Sequence, residues 1–299
     1  MLVEAADLLV SRGHEISLVV TARDQMYPDD GLPTFQALAD RANCELVVSA
    51  TLGVEARRVI KDAHLDIGVS ANYPNKIPQA VLDLFCHGVL NAHGGDLPRY
   101  RGNACQAWAI LNGEPHIGLC IHRMRGDELD TGQVVVRTSL AIDISTSVTE
   151  VMAWMTKSVP GMFVEAVTAA ETGDLSPPCP SDLEEPPDLG SRCFPRVPED
   201  GRIDWCSDAV SIVRLVKASA HPYFGAFCIH DGDELTIWDA DLWAPEYSLH
   251  AVPGQVVEVS GDHFAVATGS GCVMVTDCEL RGGIPGIRPS IGTIRVRLR

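Results

Sequence analysis

Apolar positions along the first two thirds of the chain alternate between two periods. Residues 2–11 carry Leu2, Val3, Ala6, Leu9 and Val10 at helical spacing and predict an amphipathic helix, with Gly13 as its C-cap. Residues 15–20 predict a strand, 32–42 a helix, 45–48 a short strand and 54–63 a third helix. A strand follows over 67–71 and a helix over 78–85 with Pro78 at its first position, then a strand over 89–91. Residues 104–112 predict a helix, 117–124 and 134–138 strands, and 149–172 a long helix with Pro160-Gly161 as a potential kink. Strands alternating with helices imply an α/β fold, a doubly wound and mostly parallel sheet with helices on both faces.

The pattern changes after residue 175. Residues 175–198 are rich in Pro, Ser, Asp and Glu and read either as a linker or as a long surface loop. Residues 208–219 then form a clear amphipathic stripe of Val210, Ile212, Val213, Leu215 and Val216. Short alternating segments follow at 235–238, 254–259, 264–268, 273–277 and 293–297, a small β-barrel pattern. The organisation expected is a catalytic domain over 1–175, a linker over 176–201, and a bridging helix plus barrel over 202–299.

Composition narrows the classes. Hydrophobic residues make up 46% of the 299, enough for real cores. No run of about 18 apolar residues predicts a membrane-spanning helix, and no signal peptide is legible, so a cytoplasmic protein is expected. Ten cysteines are scattered without a CxxC pair, which reads as buried thiols in a reducing compartment, with no metal site expected. The net charge of −17 weighs against gripping nucleic acid, which usually needs a basic footprint. The C-terminal strands carry Asp231, Asp233, Glu234, Asp239, Asp241, Glu258, Asp262, Asp277 and Glu279, and only Arg288, Arg295, Arg297 and Arg299 make the tail basic. A barrel of this charge reads as structural or acceptor-shaping.

One stretch carries candidate chemistry: Asn91-Ala-His-Gly-Gly-Asp-Leu-Pro-Arg-Tyr-Arg-Gly102, answered by Asp127-Glu-Leu-Asp-Thr-Gly132. Asn91 and His93 are two apart, so a continuing strand would send both side chains to one face. Gly94-Gly95 permits close backbone approach or positive φ. An amide, an imidazole and a carboxylate suit acyl-type chemistry. The same spacing also suits an ordinary strand-to-helix loop with a capping Asn and a surface His. Spacing alone leaves both open. Asp96 either binds an acceptor amine or caps the next helix, and Arg99 and Arg101 either hold a phosphate or brace the loop.

These motifs, with Leu97-Pro98, Arg101-Gly102 and Leu129-Asp130-Thr131-Gly132 in the right order and gap, resemble the folate-dependent formyltransferase family over nearly the whole chain. The family includes methionyl-tRNA formyltransferases, amino-sugar N-formyltransferases and formyltetrahydrofolate hydrolases. The resemblance implies a Rossmann-like catalytic domain followed by an open, OB-like barrel. It implies Asn91, His93 and Asp130 as catalytic residues. Formyl transfer to an amine places negative charge on the formyl oxygen, which Asn91 and His93 can meet with N–H donors, while Asp130 accepts a proton or orients His93.

The implied co-substrate is N10-formyltetrahydrofolate, its pterin held largely by backbone groups. The matching positions are Pro74, Asn75, Lys76 and Ile77 on one loop and Arg125, Gly126, Asp127, Glu128 and Leu129 on another. "HPYFGAF", residues 221–227, is closest to the sugar enzymes. Together with the acidic charge it favours the amine of a nucleotide-linked amino sugar or other small molecule as acceptor. Methionyl-tRNA is the alternative acceptor, and formyltetrahydrofolate hydrolysis the alternative reaction. A homodimer through the barrel is compatible with the sequence. One departure is visible: family members begin with a strand before the first helix, and here Met1 stands at the helix itself. A missing inner strand would leave a gap or an exposed edge.

Overall fold

The computed structural model describes residues 1–22, 31–126, 129–173, 191–281, 291 and 293–299. The residues 127 and 128, most of the predicted linker, and Arg288 lie outside the described residues. The chain divides into two compact units. The first comprises residues 1–102, 118–139 and 154–192, and the second residues 103–117, 140–153 and 193–299.

In the first unit, helices α1 (Leu2–Ser11), α2 (Leu32–Ala42) and α3 (Val54–Asp62) alternate with strands β1 (Leu18–Thr21), β2 (Glu45–Val48) and β3 (Gly68–Ala71). A one-turn helix α4 (Gln79–Leu82) leads to β4 (Val89–His93), and β5 (Tyr100–Gly102) closes the loop that follows. The strands β6 (His116–Arg123) and β7 (Val134–Ala141) and the long helix α6 (Val148–Thr172) complete the layer. The strand β8 (Ser191–Cys193) pairs with β5. Pro78 is the N-cap of α4 rather than its first residue, so this helix is shorter than its apolar pattern predicts. Pro160 sits inside α6.

Strand pairing runs parallel for β1/β2 and β3/β4 and antiparallel for β4/β6, with β7 on the far edge in the order β3-β4-β6-β7. Among the described residues β1 pairs only β2, and β3 pairs only β4. Two apolar layers hold the strands together. Ala5 and Leu9 of α1 pack with Leu90, Leu119 and Ile121 of the four-stranded sheet and with Phe163 of α6. The neighbouring Ala6 packs instead with Val19 of β1 and with Leu38 and Ala39 of α2. On the opposite side Leu18, Val20 and Val47 join Leu52, Ile60, Val81, Leu82 and Val89. At about 25 cal/mol per Å² of apolar surface, each such large side chain contributes about 1.5–3 kcal/mol.

The second unit contains α5 (Cys105–Asn112), a 3₁₀ turn (Pro198–Gly201), α7 (Ala209–Ser219) and five strands: β9 (Ala226–His230), β10 (Asp233–Trp243), β11 (Val256–Ser260), β12 (His263–Ala267) and β13 (Cys272–Leu280). The strands form one antiparallel sheet in the order β11-β12-β13-β10-β9. Among the described residues this sheet is not closed, as an open, OB-like arrangement requires. The predicted strand at 293–297 is a turn ending in a single bridge from Arg297 to Gln255. The helix α7 buries Ile212, Val213 and Val216 against Ile237, Val266, Val273 and Leu298. Asp208 caps it, accepting from the Ser211 amide at 2.9 Å.

Candidate active site

The strand β4 runs on through His93, so Asn91 and His93 leave it on the same face. Opposite them lies β6, whose register places His122 across from Asn91 and Cys120 across from His93. The chain then turns and comes back over the end of β6, with the Arg123 amide donating to the Gln133 carbonyl at 2.8 Å. Gly132 makes this return possible. A Cβ there would stand 1.5 Å from the Arg123 carbonyl oxygen. The turn also holds Asp130 at φ 55°, a left-handed conformation that few non-glycine residues adopt.

The result is a cluster of four side chains. Asp130 Oδ2 accepts the Gly102 amide at 2.9 Å and lies 3.5 Å from His93 Nδ1. Asp130 Oδ1 lies 3.5 Å from His122 Nε2. The Asn91 amide is 3.2 Å from the same His122 nitrogen. His93 Nε2 donates to the Tyr100 carbonyl at 2.6 Å. The cluster is desolvated: the side chains of His93, His122 and Asp130 are 6%, 1% and 8% exposed.

Burial and neighbours set the charges. Burial pushes the His93 imidazole below its ordinary pKa, more strongly than the Asp130 carboxylate pulls it up. Burial alone would raise Asp130. Its bond to His122, the adjacent His93 and the Gly102 amide outweigh that and hold the carboxyl below the usual range. At neutral pH the cluster is a carboxylate beside a neutral imidazole. The tautomer follows from the contacts: with Nε2–H bonded to Tyr100, His93 Nδ1 turns a lone pair toward Asp130. A separation of 3.5 Å, beyond hydrogen-bond range, is what two facing lone pairs require.

His122 is absent from the sequence-derived candidates. The available signal was a histidine at the end of the apolar run Gly118-Leu-Cys-Ile121, where a polar side chain needs a partner. Its buried Nδ1 has no hydrogen-bond partner among the described residues. A proton there would be an orphaned buried donor, so the proton belongs on Nε2, shared toward Asp130. In the structure Asn91 Nδ2 lies 3.2 Å from this nitrogen, so a proton on Nε2 goes with the Asn91 amide turned to present its oxygen. Asn oxygen and nitrogen are told apart by such a network.

The two loops expected to hold the pterin come together. The Gly126 amide donates to the Gln79 side chain at 2.8 Å, and a Cβ on Gly126 would meet the Gln79 backbone at 2.3 Å. Gln79 follows directly on the loop of Pro74, Asn75, Lys76 and Ile77. Pro74, Asn75, Lys76 and Arg125 are exposed, and Leu129 is half-exposed. Asn75 is tied to the Ala50 carbonyl at 3.0 Å and Tyr73 to the Ser49 carbonyl. Ile77 is buried in the apolar layer under β1, so its side chain belongs to the core. Asp127 and Glu128 lie outside the described residues. A wall of backbone approached closely by a glycine, beside exposed Pro74 and Leu129, fits a flat heteroaromatic ring held by main-chain groups.

Three other expectations resolve. Asp96 does not cap the next helix, whose N-cap is Ala104. Its carboxylate pairs with the Arg137 guanidinium at 3.1 Å. Neither Gly94 nor Gly95 takes positive φ. Cys105 is buried, its thiol against that of Cys193.

Comparison with known proteins gives a consistent result. Residues 4–167 match the model described as "Formyl transferase", and residues 196–285 match "Formyl transferase, C-terminal domain". The methionyl-tRNA formyltransferase of Variovorax paradoxus is 31% identical over 297 residues, covering 93% of this chain and 88% of that one. Among solved structures, HypX from Aquifex aeolicus in complex with tetrahydrofolic acid superposes with a TM-score of 0.62 at 23% identity. That match covers 90% of this chain and 45% of HypX, so the chain spans about half of that protein's length. WlaRD, a sugar 3N-formyl transferase solved in the presence of dTDP and 5-N-formyl-THF, superposes with a TM-score of 0.67 at 17% identity, covering 94% of each chain. The two family models lie in order along the chain and the first alone spans more than half of it: the chain belongs to the formyl transferase family, enzymes that take their one-carbon group from formyltetrahydrofolate.

Proposed function

We propose that the chain formylates the primary amine of a nucleotide-linked amino sugar or a comparable small molecule, with Asn91, His93 and Asp130 at the reacting atoms. The observation that supports this reading is the desolvated cluster in which one carboxylate lies beside two imidazoles, with the Asn91 amide against one of them. Formyltetrahydrofolate supplies the formyl carbon as the electrophile. The Asn91 NH₂ donates to the formyl oxygen as negative charge develops there, in a site dry enough for such a bond to count heavily. Asp130 takes the proton of the attacking amine, directly or through water. As the tetrahedral species collapses, the bond from the formyl carbon to the folate N10 breaks and that proton passes to N10, releasing tetrahydrofolate. His93 Nδ1, which faces the carboxylate, is the adjoining base. Once protonated it becomes a second donor to the oxygen, held by the carboxylate beside it. His122 fixes both Asn91 and Asp130 from behind.

For the acceptor, the second unit supports a small molecule over a polynucleotide. Asp231, Asp233, Asp241 and Asp262 stand exposed on its sheet and turns, in a chain of net charge −17. Such a face repels phosphate backbone. The second reading, formylation of methionyl-tRNA, is favoured by the name of the Variovorax paradoxus relative. The test is release of tetrahydrofolate from formyltetrahydrofolate by wild type and Asp130→Asn, with a panel of amino-sugar nucleotides, with methionyl-tRNA, and with no acceptor. Release that depends on an amino-sugar nucleotide and is lost in the variant supports the proposal. Release with methionyl-tRNA alone moves the acceptor to the second reading, and release without acceptor makes the enzyme a hydrolase.

A further inference from the structure

The second unit carries a cleft of about 550 Å³ outside the four-residue cluster, lined by Arg202, Asp204, Trp205, Arg297, Leu298 and Arg299 among others. The volume is in the range of small-ligand sites, about 300–1,000 Å³. Three arginines line it, and among the described residues no carboxylate forms an ion pair with any of the three. The arginines that do pair, such as Arg41, Arg58, Arg137 and Arg281, sit elsewhere. In a chain of net charge −17, three unpaired arginines around one concavity are a local reversal of sign.

The backbone explains why they line one cleft. Arg297 and Arg299 flank Leu298, which is buried in the core, so the two arginines leave the extended tail on the side away from it. That tail is pinned at three places: the Arg297–Gln255 bridge, the Leu298 amide to Gly254, and the Arg299 backbone paired in both directions with Ile229 of β9. Arg202 comes from a separate segment bridged to Phe227 of the same strand, with Ile203 buried beside it. The floor between them includes the buried indole of Trp205. Asp204, the acid on the rim, accepts the Cys206 amide at 2.9 Å in its own turn. The guanidinium stems are thus held by paired backbone before any ligand arrives, which lowers the entropic cost of binding.

We propose that this cleft is a binding site for a small phosphate-bearing ligand of about nucleoside-diphosphate size, built by the second unit alone. Guanidinium forks match phosphate oxygens in charge and geometry. The concavity and its apolar floor suit a compact anion with an attached ring better than a running backbone. The proposal is independent of which amine the enzyme formylates.

The test is calorimetric titration of the full chain with inorganic pyrophosphate, with uridine diphosphate and with bulk tRNA. Saturable binding of the first two is expected, weakened about tenfold or more by Arg297→Ala/Arg299→Ala and unchanged by Arg281→Ala, which removes a guanidinium elsewhere on the sheet. Arg202→Ala, on the other segment, repeats the measurement if the double variant does not fold. The proposal is overturned if neither phosphate compound binds, if the cleft variants bind as well as wild type, or if tRNA alone binds.

Discussion

His93 Nδ1 and Asp130 Oδ2 lie 3.5 Å apart in a buried pocket, while the other nitrogen of the same ring is bonded to the Tyr100 carbonyl. The ring is thereby oriented with its proton-accepting nitrogen toward the carboxylate. A proton arriving at that nitrogen turns a lone-pair contact into an ion pair. Asp130→Asn removes that outcome while keeping an oxygen for the Gly102 amide. It is expected to lower kcat by about 10²–10⁴ with little change in thermal midpoint. Steady-state kinetics paired with a melting curve checks both halves.

The same pair makes the fold acid-sensitive in two stages. His93 has a lowered pKa in the folded state, so as pH falls through the ordinary histidine value of about 6.5 the unfolded chain takes up a proton that the folded chain resists. Stability therefore drops there. Asp130 also has a lowered folded pKa. Its contribution is present above the ordinary carboxyl value of about 3.9 and is lost as pH falls through the folded one. Urea midpoints of wild type and His93→Gln should converge between about pH 7 and pH 5, with wild type losing more. Parallel pH profiles for the two proteins would show that His93 is not buried neutral.

His122 was not legible in the sequence because its importance depends on register. An isolated histidine in an apolar strand says nothing of which residue lies across from it. Only the antiparallel pairing of β6 with β4 places it beside Asn91. His122→Phe keeps volume and removes the contact to both Asn91 and Asp130. It is expected to lower kcat by about 10–100-fold through misplacement while KM for the donor changes little. A His122→Gln variant, whose amide can still reach both partners, should recover part of the loss. Equal losses in the two variants would indicate that His122 acts only by packing.

Helices α1 and α2, by contrast, begin and end where their amphipathic patterns do, because one apolar stripe facing one layer is a local property. The Asn91–His93 face was legible for the same reason, since period-two alternation needs only that the strand continue. The set of strands in the C-terminal sheet was legible only in part. Alternation marks five strands without saying whether the first and last meet, and the segment expected as the last strand is a turn and one bridge. Pro78 was read one residue too far inside its helix because proline suits N-cap and first-turn positions alike.

Gly132 offers a test of how tightly the turn positions Asp130. A methyl group at this position collides with the Arg123 carbonyl, part of the backbone of β6, so the strand end cannot yield and the turn must move. Displacing Asp130 by about 1 Å is enough to cost about 10² in rate. Gly132→Ala is therefore expected to reduce turnover by about that factor and to weaken donor binding little, since the Gly126–Gln79 contact beside the two loops proposed for the donor is made elsewhere. Single-turnover kinetics against donor titration separates the two effects.

Phe163 lies at the centre of the layer formed by α1, α6 and the four-stranded sheet, fully buried and packed with Leu90, Leu119 and Ile121. These neighbours belong to regular elements, which relax only in part around a void, so truncation adds a cavity to the lost transfer energy. Phe163→Ala is expected to destabilise the first unit by about 3–5 kcal/mol. Leu90 and its strand neighbour Asn91 share β4, so the loss reaches the active site through the strand that carries it. Denaturant unfolding should show the lowered midpoint, and donor turnover measured well below the melting transition should fall by less than in Asp130→Asn. A midpoint within about 1 kcal/mol of wild type would mean that α6 collapses onto the sheet without Phe163, and that this layer is less rigid than its burial implies.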